Sequence, residues 1–335
     1  MKLSEPQLAA ALKFYGHSMT RVDFIESGYR NTSHIVEVSG GGLYNLIVYK
    51  NEPGVHQLIA HINLFSLHLR SSGIPVRYPV DSRILKMQNS VGTRYASLYS
   101  FERGSTIAWE MYSMKHIKLL GMAMGHFHSA AETYGGNLPV ATMNYRRIVG
   151  RMERYFVDTS VSAAIASKLS LQVVFPYYKM RSWLDVLDTL PNQQPLHMDM
   201  VRGNVLFRPA DDSDAFVVGG LALSGILDLE RASIGHPIFD LARTHAFLLV
   251  DCPKSPEKIR KYLLNSGYQK RGGRTFRDIL GGRDFDELYN KIIMLFLMYD
   301  FYKFLKQNPY ESLVSNHHYI RTRDILLDRK MLQYK

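Results

Sequence analysis

The stretch Leu196–Phe207, which reads LHMDMVRGNVLF, decides how the rest of the chain is interpreted. His197 precedes Asp199 by two positions, Asn204 follows Asp199 by five, and an apolar triplet closes the segment. A five-residue offset across a tight loop can bring a carboxylate and an amide oxygen to one point. The stretch therefore places a possible proton acceptor and a possible metal ligand side by side.

Two interpretations of this loop are open from its own residues. Phosphoryl transfer needs a carboxylate that orients an attacking hydroxyl and a nearby oxygen ligand for Mg²⁺, and the spacing H-x-D-x4-N supplies both. Alternatively, Asp199 caps a surface loop and Asn204 lies in a turn. The loop alone does not choose between them, so the remainder of the chain must decide.

A second carboxylate follows at the end of an apolar segment. Leu223–Leu227 reads LSGIL and predicts a buried strand, and Asp228 stands directly after it. A carboxylate at such a strand end, downstream of a D-x4-N loop, is where a further Mg²⁺ ligand belongs. Glu230 alternates away from Asp228 if the strand continues, which leaves it a secondary role. Asp228 therefore favours the phosphoryl-transfer interpretation of the loop.

Further polar positions have two interpretations each. Asp240 lies in the first turn of a predicted helix. It could be catalytic, although a carboxylate that stabilises a neighbouring loop is the favoured interpretation. Asp300 interrupts the apolar stripe of a later helix, so it either lines a pocket or, as we favour, forms a salt bridge. His126 and His128 are two positions apart on one predicted helix, so they face different sides and cannot chelate one metal.

The composition is that of a globular protein with a basic surface. The 335 residues are 46% hydrophobic and 21% charged, which is enough for two lobes, and the formal net charge is +11. Such a charge favours anionic partners, but we find no nucleic-acid recognition motif and expect no nucleic acid to bind. The single cysteine, Cys252, excludes an internal disulfide and a multi-cysteine zinc site.

The expected location is cytoplasmic. The polar N-terminus is unlike a secretory signal, and the apolar stretch Ile292–Met298 is too short to span a bilayer. We therefore expect no membrane association, while the sequence leaves the oligomeric state open.

The predicted elements change in character along the chain. Runs rich in β-branched and aromatic residues over Phe24–Lys50 predict a three-stranded antiparallel meander. A helix over Val55–Arg70 and a strand over Tyr95–Phe101 follow, and helices predominate thereafter. We therefore expect an α+β chain of two lobes, a small antiparallel-sheet lobe over residues 1–101 and a larger, mainly helical lobe over residues 102–335.

Three segments in a fixed order resemble the superfamily of aminoglycoside phosphotransferases, choline kinases and homoserine kinases. They are the loop Leu196–Phe207, the strand and acids of Leu223–Glu230, and the segment Gly235–Arg243. Gly28–His34 resembles the phosphate-covering turn of that family, although a plain hairpin turn is the other interpretation. The resemblance implies a bilobal protein-kinase-like fold and an ATP- and Mg²⁺-dependent phosphotransferase that acts on a hydroxyl group of a small molecule.

The resemblance also implies roles for individual residues. Asp199 would be the catalytic carboxylate that positions the acceptor hydroxyl, Asn204 and Asp228 would bind Mg²⁺, and His197 would hold the loop. We add Arg202, a cation within the loop that could help to neutralise the transferring phosphoryl group. The nucleotide would be bound by the phosphate-covering turn, by the lysine after the third strand and by the linker between the lobes: Gly28, Asn31, Thr32, Ser33, Lys50, Tyr99 and Phe101.

Two positions depart from the family pattern. Ile47 stands where many relatives carry a phosphate-gripping lysine or arginine, and strict alternation points Lys50 to the opposite face. The segment Ala60–Asn63 lacks the helix glutamate that would pair with such a lysine. Homoserine kinase-like members also lack the strand lysine, so its loss does not by itself exclude activity.

Two function classes therefore remain. The first is a kinase, for which a homoserine-like amino acid or an amino alcohol is the favoured acceptor, because a purely cationic aminoglycoside suits the basic C-terminal portion less well. The second is a pseudokinase-type module that binds a nucleotide or a partner without turnover.

Overall fold

The N-terminal lobe is a five-stranded antiparallel sheet. The structure is a computed structural model, and it describes residues 2–27, 31–89, 92–268 and 284–335. The predicted meander is confirmed, because the first three strands pair antiparallel in sequence order. The strands are β1 Met19–Ser27, β2 Thr32–Val38, β3 Leu43–Tyr49, β4 Leu85–Asn89 and β5 Gly92–Ser100, and their spatial order is β1-β2-β3-β5-β4.

Two helices cover the two faces of this sheet. Strands β3 and β5 bury successive residues, which point to opposite faces, so both faces need cover. Helix α1, Glu5–Phe14, packs its apolar stripe on the outer face. Helix α2, Val55–Ser71, packs its first half under the inner face, where Ile59 contacts a cluster that includes Ile47 and Tyr99. The second half of α2 joins the core of the C-terminal lobe through Ile62, Phe65 and Leu69.

The C-terminal lobe is mainly helical, as predicted. Its central helix begins at the cap Asp284, whose carboxylate accepts hydrogen bonds from the amides of Asp286 and Glu287. That helix is buried on nearly all sides, as expected for a helix that is apolar around its circumference. The helices are α3 Met114–Ala131, α4 Ala141–Phe156, α5 Thr159–Leu169, α6 Tyr177–Asp188, α7 Ile238–Asp251, α8 Pro256–Arg260, α9 Phe285–Gln307, α10 Tyr310–Leu313 and α11 His317–Asp328.

Membrane crossing requires a helix that is both long and apolar. Within the described ranges, no helix combines the two properties to the extent that a bilayer demands.

Short strands carry the polar segments that the sequence singled out. They form three small antiparallel units, of which β7/β11 and β8/β10/β9 flank the loop Leu196–Phe207. Strand β10 ends one residue earlier than predicted, at Ile226. These strands are β6 Leu171–Val173, β7 Gln194–Leu196, β8 Val205–Pro209, β9 Val217–Val218, β10 Leu221–Ile226, β11 Ser233–Gly235 and β12 Leu332–Tyr334, of which β12 pairs with β6.

The two lobes meet at the linker after β5 and at the segment after α2. In the linker, Gly104 has φ 146° and runs so close to β8 that an added Cβ would lie 3.0 Å from Leu206 Cβ and 3.1 Å from the Phe207 carbonyl oxygen. After α2, the Arg77 amide donates to the Ile226 carbonyl at 3.1 Å and the Ile226 amide donates to the Pro75 carbonyl at 2.6 Å. The end of β10 is thereby fixed beneath the N-terminal lobe.

A buried histidine gives the C-terminal lobe a predictable acid sensitivity. Burial, and then the charge of Arg260, lower the pKa of His245 to about 3, and its Nδ1 lies 2.8 Å from the Tyr289 hydroxyl. Between the unfolded value of about 6.5 and that folded value, the unfolded chain binds the proton and the folded chain does not, so stability falls as the pH falls.

We expect His245 to remove about 2 kcal/mol of unfolding free energy between pH 7 and pH 5. The glutamine side chain of the variant His245→Gln is neutral throughout this range. The unfolding free energy of the variant should therefore fall by about 2 kcal/mol less than that of the wild type. The measurement is the free energy of urea unfolding of both proteins at the two pH values. An equal loss in both proteins would show that His245 does not titrate on unfolding.

Candidate active site

The loop between β7 and β8 is held from below by one buried carboxylate. Asp240, in the first turn of α7, is 0% exposed. Its Oδ2 accepts the His197 amide at 2.7 Å, and its Oδ1 accepts the Met198 amide at 2.7 Å. Met198 has φ 63°, so this clamp holds the backbone in a left-handed turn immediately before Asp199.

A buried histidine completes this clamp. His128 of α3 is 0% exposed, its Nε2 lies 3.1 Å from Asp240 Oδ2, and its Nδ1 lies 2.9 Å from the Tyr268 hydroxyl. Burial would raise the pKa of the Asp240 carboxyl, but the hydrogen bonds and charge interactions with His128 and His197 outweigh it, and the pKa is lowered. Asp240 is therefore an ionised carboxylate that acts as a loop support, which agrees with the favoured interpretation of its position.

His197 joins the loop to the end of β10. Its Nδ1 accepts the Asp199 amide at 3.2 Å, so Nε2 carries the proton and donates to the Leu227 carbonyl at 2.9 Å. In return, the Leu227 amide donates to the Asn204 carbonyl at 2.8 Å. Asp228, the next residue after Leu227, is therefore fixed against the loop that carries Asp199 and Asn204.

Asn204 and Asp228 present oxygen atoms on either side of this junction. Asn204 Nδ2 donates to the Asp199 carbonyl at 2.8 Å, which orients the side chain and leaves Oδ1 as its acceptor atom. Asp228 has φ 57°, and its Oδ1 accepts the Glu230 amide at 3.2 Å. A left-handed backbone at a residue that is not glycine is uncommon and is a frequent feature of functional sites.

Two arginines contact carboxylates around the loop. Arg231 Nε lies 3.4 Å from Asp199 Oδ2, with the Asp199 side chain 17% exposed. Arg202 Nη1 lies 3.8 Å from Glu110 Oε2, and both of these side chains are largely exposed. Asp199 is thus accessible, paired with one guanidinium, and held on a loop whose backbone is fixed at both ends.

Comparison with known proteins agrees with this arrangement. The sequence profile of the phosphotransferase enzyme family matches residues 21–271, about three quarters of the chain. The chain belongs to the phosphotransferase enzyme family. A comparison with curated proteins found no match to this phosphotransferase.

Solved structures with the same fold include several small-molecule kinases. The amicoumacin kinase hAmiN, in complex with AMP-PNP and Ca²⁺, is similar with a TM-score of 0.66 at 13% identity, over 97% of this chain and 94% of that one. A microcompartment-associated aminopropanol kinase has a TM-score of 0.63 at 13% identity, over 99% and 100% of the two chains. An ethanolamine kinase of Plasmodium vivax has a TM-score of 0.52 at 13% identity, over 98% and 91%. The expected superfamily and the bilobal α+β fold are thereby confirmed.

The structure places several expected nucleotide-binding residues away from an open turn. Thr32 and Ser33 are the first residues of β2, where Thr32 is 3% exposed and Ser33 Oγ donates to Asn45 Oδ1 at 2.5 Å. Asn31 bridges instead, since its Oδ1 accepts the Lys50 amide at 3.0 Å and its Nδ2 donates to Glu230. Gly28 lies outside the described residues.

The lysine and the linker residues differ in their surroundings. Lys50 follows β3, is exposed, and its Nζ lies 3.7 Å from Glu52 Oε1. Tyr99 lies inside β5, paired with Asn45 on one side and Pro79 on the other, so its backbone is enclosed by the sheet. Phe101 follows the last residue of β5 and is half-buried. The linker therefore begins at Phe101, two residues later than the sequence indicates.

A hydrogen-bonded tyrosine network lies on the inner face, beside Ile47. The Tyr49 and Tyr99 hydroxyl oxygens are 2.6 Å apart, and the Tyr99 hydroxyl donates to Asn63 Oδ1 of α2 at 2.8 Å. Burial raises the pKa of both tyrosines, so both remain neutral. This neutral network connects β3, β5 and α2, whereas the lysine–glutamate pair of protein kinases connects the third strand and the helix through charge.

Sequence reasoning missed three side chains that the structure brings to the site. Arg77 stacks over Tyr99 with its guanidinium carbon 5.2 Å from the ring centroid, Arg231 contacts Asp199, and His128 supports Asp240. The sequence offers little that points to these three residues as part of the site. Arg231 directly follows the D-x-E segment, while Arg77 and His128 lie in no local motif.

Two cavities open beside the loop. One, of about 600 Å³, is lined by the start of α4, by Met198 and by the segment after Asp228. The other, of about 410 Å³, is lined by Arg202, Gly203, and residues of α7, α9 and α11, including Asp300. Both are within the size range of small-ligand sites.

Proposed function

We propose that this phosphotransferase transfers the γ-phosphoryl group of ATP to a hydroxyl group of a small metabolite. The observation that carries the proposal is the junction at Leu227, which fixes Asp228 against the loop of Asp199 and Asn204. Asp199 would accept the hydrogen bond of the acceptor hydroxyl and take its proton as the oxygen attacks the γ-phosphorus. The bond from that phosphorus to the bridging oxygen then breaks, and ADP leaves.

The side chains around Asp199 fit a Mg²⁺ ion. Asn204 and Asp228 supply an amide oxygen and a carboxylate, which are the hard oxygen donors that Mg²⁺ prefers. No three His, Cys, Asp or Glu side chains form a metal cluster in the described part of the chain, and Mg²⁺ at a nucleotide site needs only one or two carboxylates beside water and phosphate. When bound, the ion would neutralise charge on the nucleotide phosphates.

The fold supports the binding of a nucleotide as the phosphoryl donor. Proteins of this fold have been solved with AMP-PNP and with GDP, so both ATP and GTP are tested as donors. Phe101 follows β5 directly, where the linker between the lobes begins. Arg202, paired only with the exposed Glu110 within the described residues, is available to the transferring phosphoryl group.

A specific observation also favours the second candidate, a nucleotide-binding module without turnover. Ile47 is 4% exposed on the inner face, so the third strand offers the phosphates no cation there. The neutral network of Tyr49, Tyr99 and Asn63 occupies the neighbouring space.

One experiment distinguishes the two candidates. Purified protein is incubated with Mg²⁺ and either ATP or GTP, together with a panel of hydroxylated metabolites, and release of the nucleoside diphosphate is followed. We expect release that depends on both the acceptor and the metal, and that stops when the metal is removed with EDTA. Nucleotide binding without release, for every acceptor on the panel, would support the non-catalytic module instead.

Arg77 is our candidate for the cation that Ile47 does not provide. Its guanidinium stacks on Tyr99, which shares the inner face with Ile47, and its backbone is bonded to Ile226, two residues before Asp228. No ion pair of Arg77 occurs among the residues that the structure describes. The guanidinium is thus anchored by its neighbours and free to pair with a phosphate.

Replacing Arg77 with Gln should raise the KM for ATP by about tenfold or more, which corresponds to the loss of one charge-assisted hydrogen bond. Arg77→Lys should recover part of the loss, because it keeps the charge, and Arg94→Gln is the control for removing a positive charge elsewhere in the sheet. The KM values come from initial rates with acceptor in excess. If Arg77→Gln bound ATP as the wild type does, Arg77 would serve only to pack Tyr99.

A further inference from the structure

The larger cavity beside the catalytic loop has a basic lining. Arg147 and Arg151 of α4 and Arg231 from the segment after Asp228 line its volume of about 600 Å³, together with Tyr299 of α9. The acidic residue of the lining is Glu230, which accepts a hydrogen bond from Asn31. Three arginines therefore line a space that a small molecule can enter.

The arginines of α4 differ in whether a carboxylate of the described residues pairs with them. Arg146, on the same helix, forms ion pairs with Asp185 at 2.7 Å and Asp188 at 2.6 Å. By contrast, no carboxylate pairs with Arg147 or Arg151 in the described ranges. Because these two arginines are four residues apart, they lie next to each other on one helix face, and their repulsion weakens the helix unless an anion binds between them.

The cavity reaches the proposed site of phosphoryl transfer. Met198, which lines it, directly precedes Asp199. Arg231 connects the two, because it lines the cavity while its Nε lies 3.4 Å from Asp199 Oδ2. A molecule that binds the α4 arginines at one end therefore has its other end near Asp199.

The smaller cavity does not offer the same electrostatics. Its main charges are already paired: Asp300 with Arg243 at 2.9 Å and with Lys303 at 2.6 Å, and Asp251 with His318. An anionic ligand would have to compete with these carboxylates for their partners. The larger cavity is therefore the better match for an anion.

We infer that the hydroxyl acceptor carries an anionic group, a carboxylate or a phosphate ester, and that Arg147, Arg151 and Arg231 bind it. This inference rests on the proposed phosphotransferase function and specifies its substrate class. Guanidinium groups recognise carboxylates and phosphates through paired hydrogen bonds, which makes them suited to hold one end of an acceptor while the hydroxyl points to Asp199. An amino alcohol without an acidic group would leave Arg147 and Arg151 without an anionic partner.

The test uses acceptors that differ only in the anionic group. L-Homoserine is compared with 3-aminopropan-1-ol, which lacks its carboxylate, and glucose 6-phosphate is compared with glucose. We expect the anionic member of at least one pair to have a kcat/KM at least tenfold higher, and the preferred pair identifies carboxylate or phosphate. The double variant Arg147→Gln/Arg151→Gln should lose this preference through a higher KM for the anionic acceptor, with the KM for ATP unchanged.

Arg154→Gln removes the same charge from α4 at a residue outside the lining of the larger cavity. Arg154 shares a neighbouring cavity of about 540 Å³ with Arg147 and Arg151, so a loss of the preference in Arg154→Gln as well would place the anion there and overturn the inference. Equal rates for both members of each pair, or a preference that survives in the double variant, would overturn the inference while leaving the phosphotransferase proposal intact.

A second measurement does not depend on turnover. Thermal unfolding is followed with increasing inorganic phosphate, without nucleotide, for the wild type, the double variant and Arg154→Gln. We expect phosphate to raise the melting temperature of the wild type and of Arg154→Gln but not of the double variant, whose own melting temperature also reports whether it is folded. If no acceptor is phosphorylated, the proposed function fails, but this pattern would still establish the anion site. Phosphate that stabilises all three proteins alike, or none, would overturn it.

Discussion

Asp199→Asn is expected to lower kcat by about 10²–10⁴-fold, the range that a positioned proton acceptor contributes. The amide has nearly the shape of the carboxylate but cannot take the proton of the acceptor hydroxyl. The loop should remain in place, because Asp240 and His197 hold its backbone through the Asp199 amide and its neighbours rather than through the Asp199 side chain. We therefore expect the KM for ATP and the unfolding free energy to change little.

The assay is release of nucleoside diphosphate at saturating ATP and acceptor, with kcat and both KM values determined. Asp212→Asn, an exposed acid on a surface turn, is the control for the same chemical change and should behave as the wild type. A variant that retained its kcat would remove Asp199 from the mechanism and return the loop to a purely structural interpretation.

The second large effect concerns stability. Asp240→Asn is expected to reduce the unfolding free energy by about 3–5 kcal/mol, the cost of removing one partner from a buried charged pair. Both carboxylate oxygens accept hydrogen bonds, from the His197 and Met198 amides, and Oδ2 also lies 3.1 Å from His128 Nε2. An asparagine has a single acceptor oxygen, so its amino group must face a donor, and at least one buried N–H loses its partner.

Urea unfolding measures this loss, and kcat at a temperature where the variant is folded measures the displacement of Asp199. The unfolding free energy and kcat should both fall, because Asp240 is a positioning residue for the loop. Asp185→Asn, an exposed partner of Arg146, should stay within about 0.5 kcal/mol of the wild type. Should Asp240→Asn retain wild-type stability, the loop must be held by other contacts.

The parts of the site that could be predicted from the sequence are those with short spacings. Asp199, Asn204 and Asp228 follow or precede short strands at fixed offsets, so local chain geometry brings them near one another. The N-terminal sheet was similarly predictable, because β-branched and aromatic residues alternate along its first three strands. The family resemblance added the order of these segments, which no single spacing contains.

The remaining parts depend on contacts between distant positions. His128 and Asp240 are 112 residues apart, and Asn31 and Glu230 are 199 apart. Neither pair has a local pattern, since each depends on how α3, α7 and the sheet pack together. Thr32 and Ser33 were expected in an open turn, but β2 begins two residues earlier than the polar run suggests, because both residues pair with β3.

The arginines of the larger cavity show the same limit. On the sequence, Arg146 and Arg147 are adjacent and chemically identical, and periodicity alone gives no reason to separate them. Packing of α4 against α6 gives Arg146 two carboxylates and turns Arg147 toward the cavity.

Helix α2 has a consequence for regulation. Its second half is part of the C-terminal core, with Ile62, Phe65 and Leu69 between 0% and 6% exposed and Phe65 packed edge-on against Phe127 of α3. Swinging this helix outward, as protein kinases do when they switch off, would expose three large apolar side chains at a cost of about 1.5–3 kcal/mol each. Helix α2 is therefore held between the lobes by its apolar contacts, and we expect its displacement to be too costly to serve as a switch.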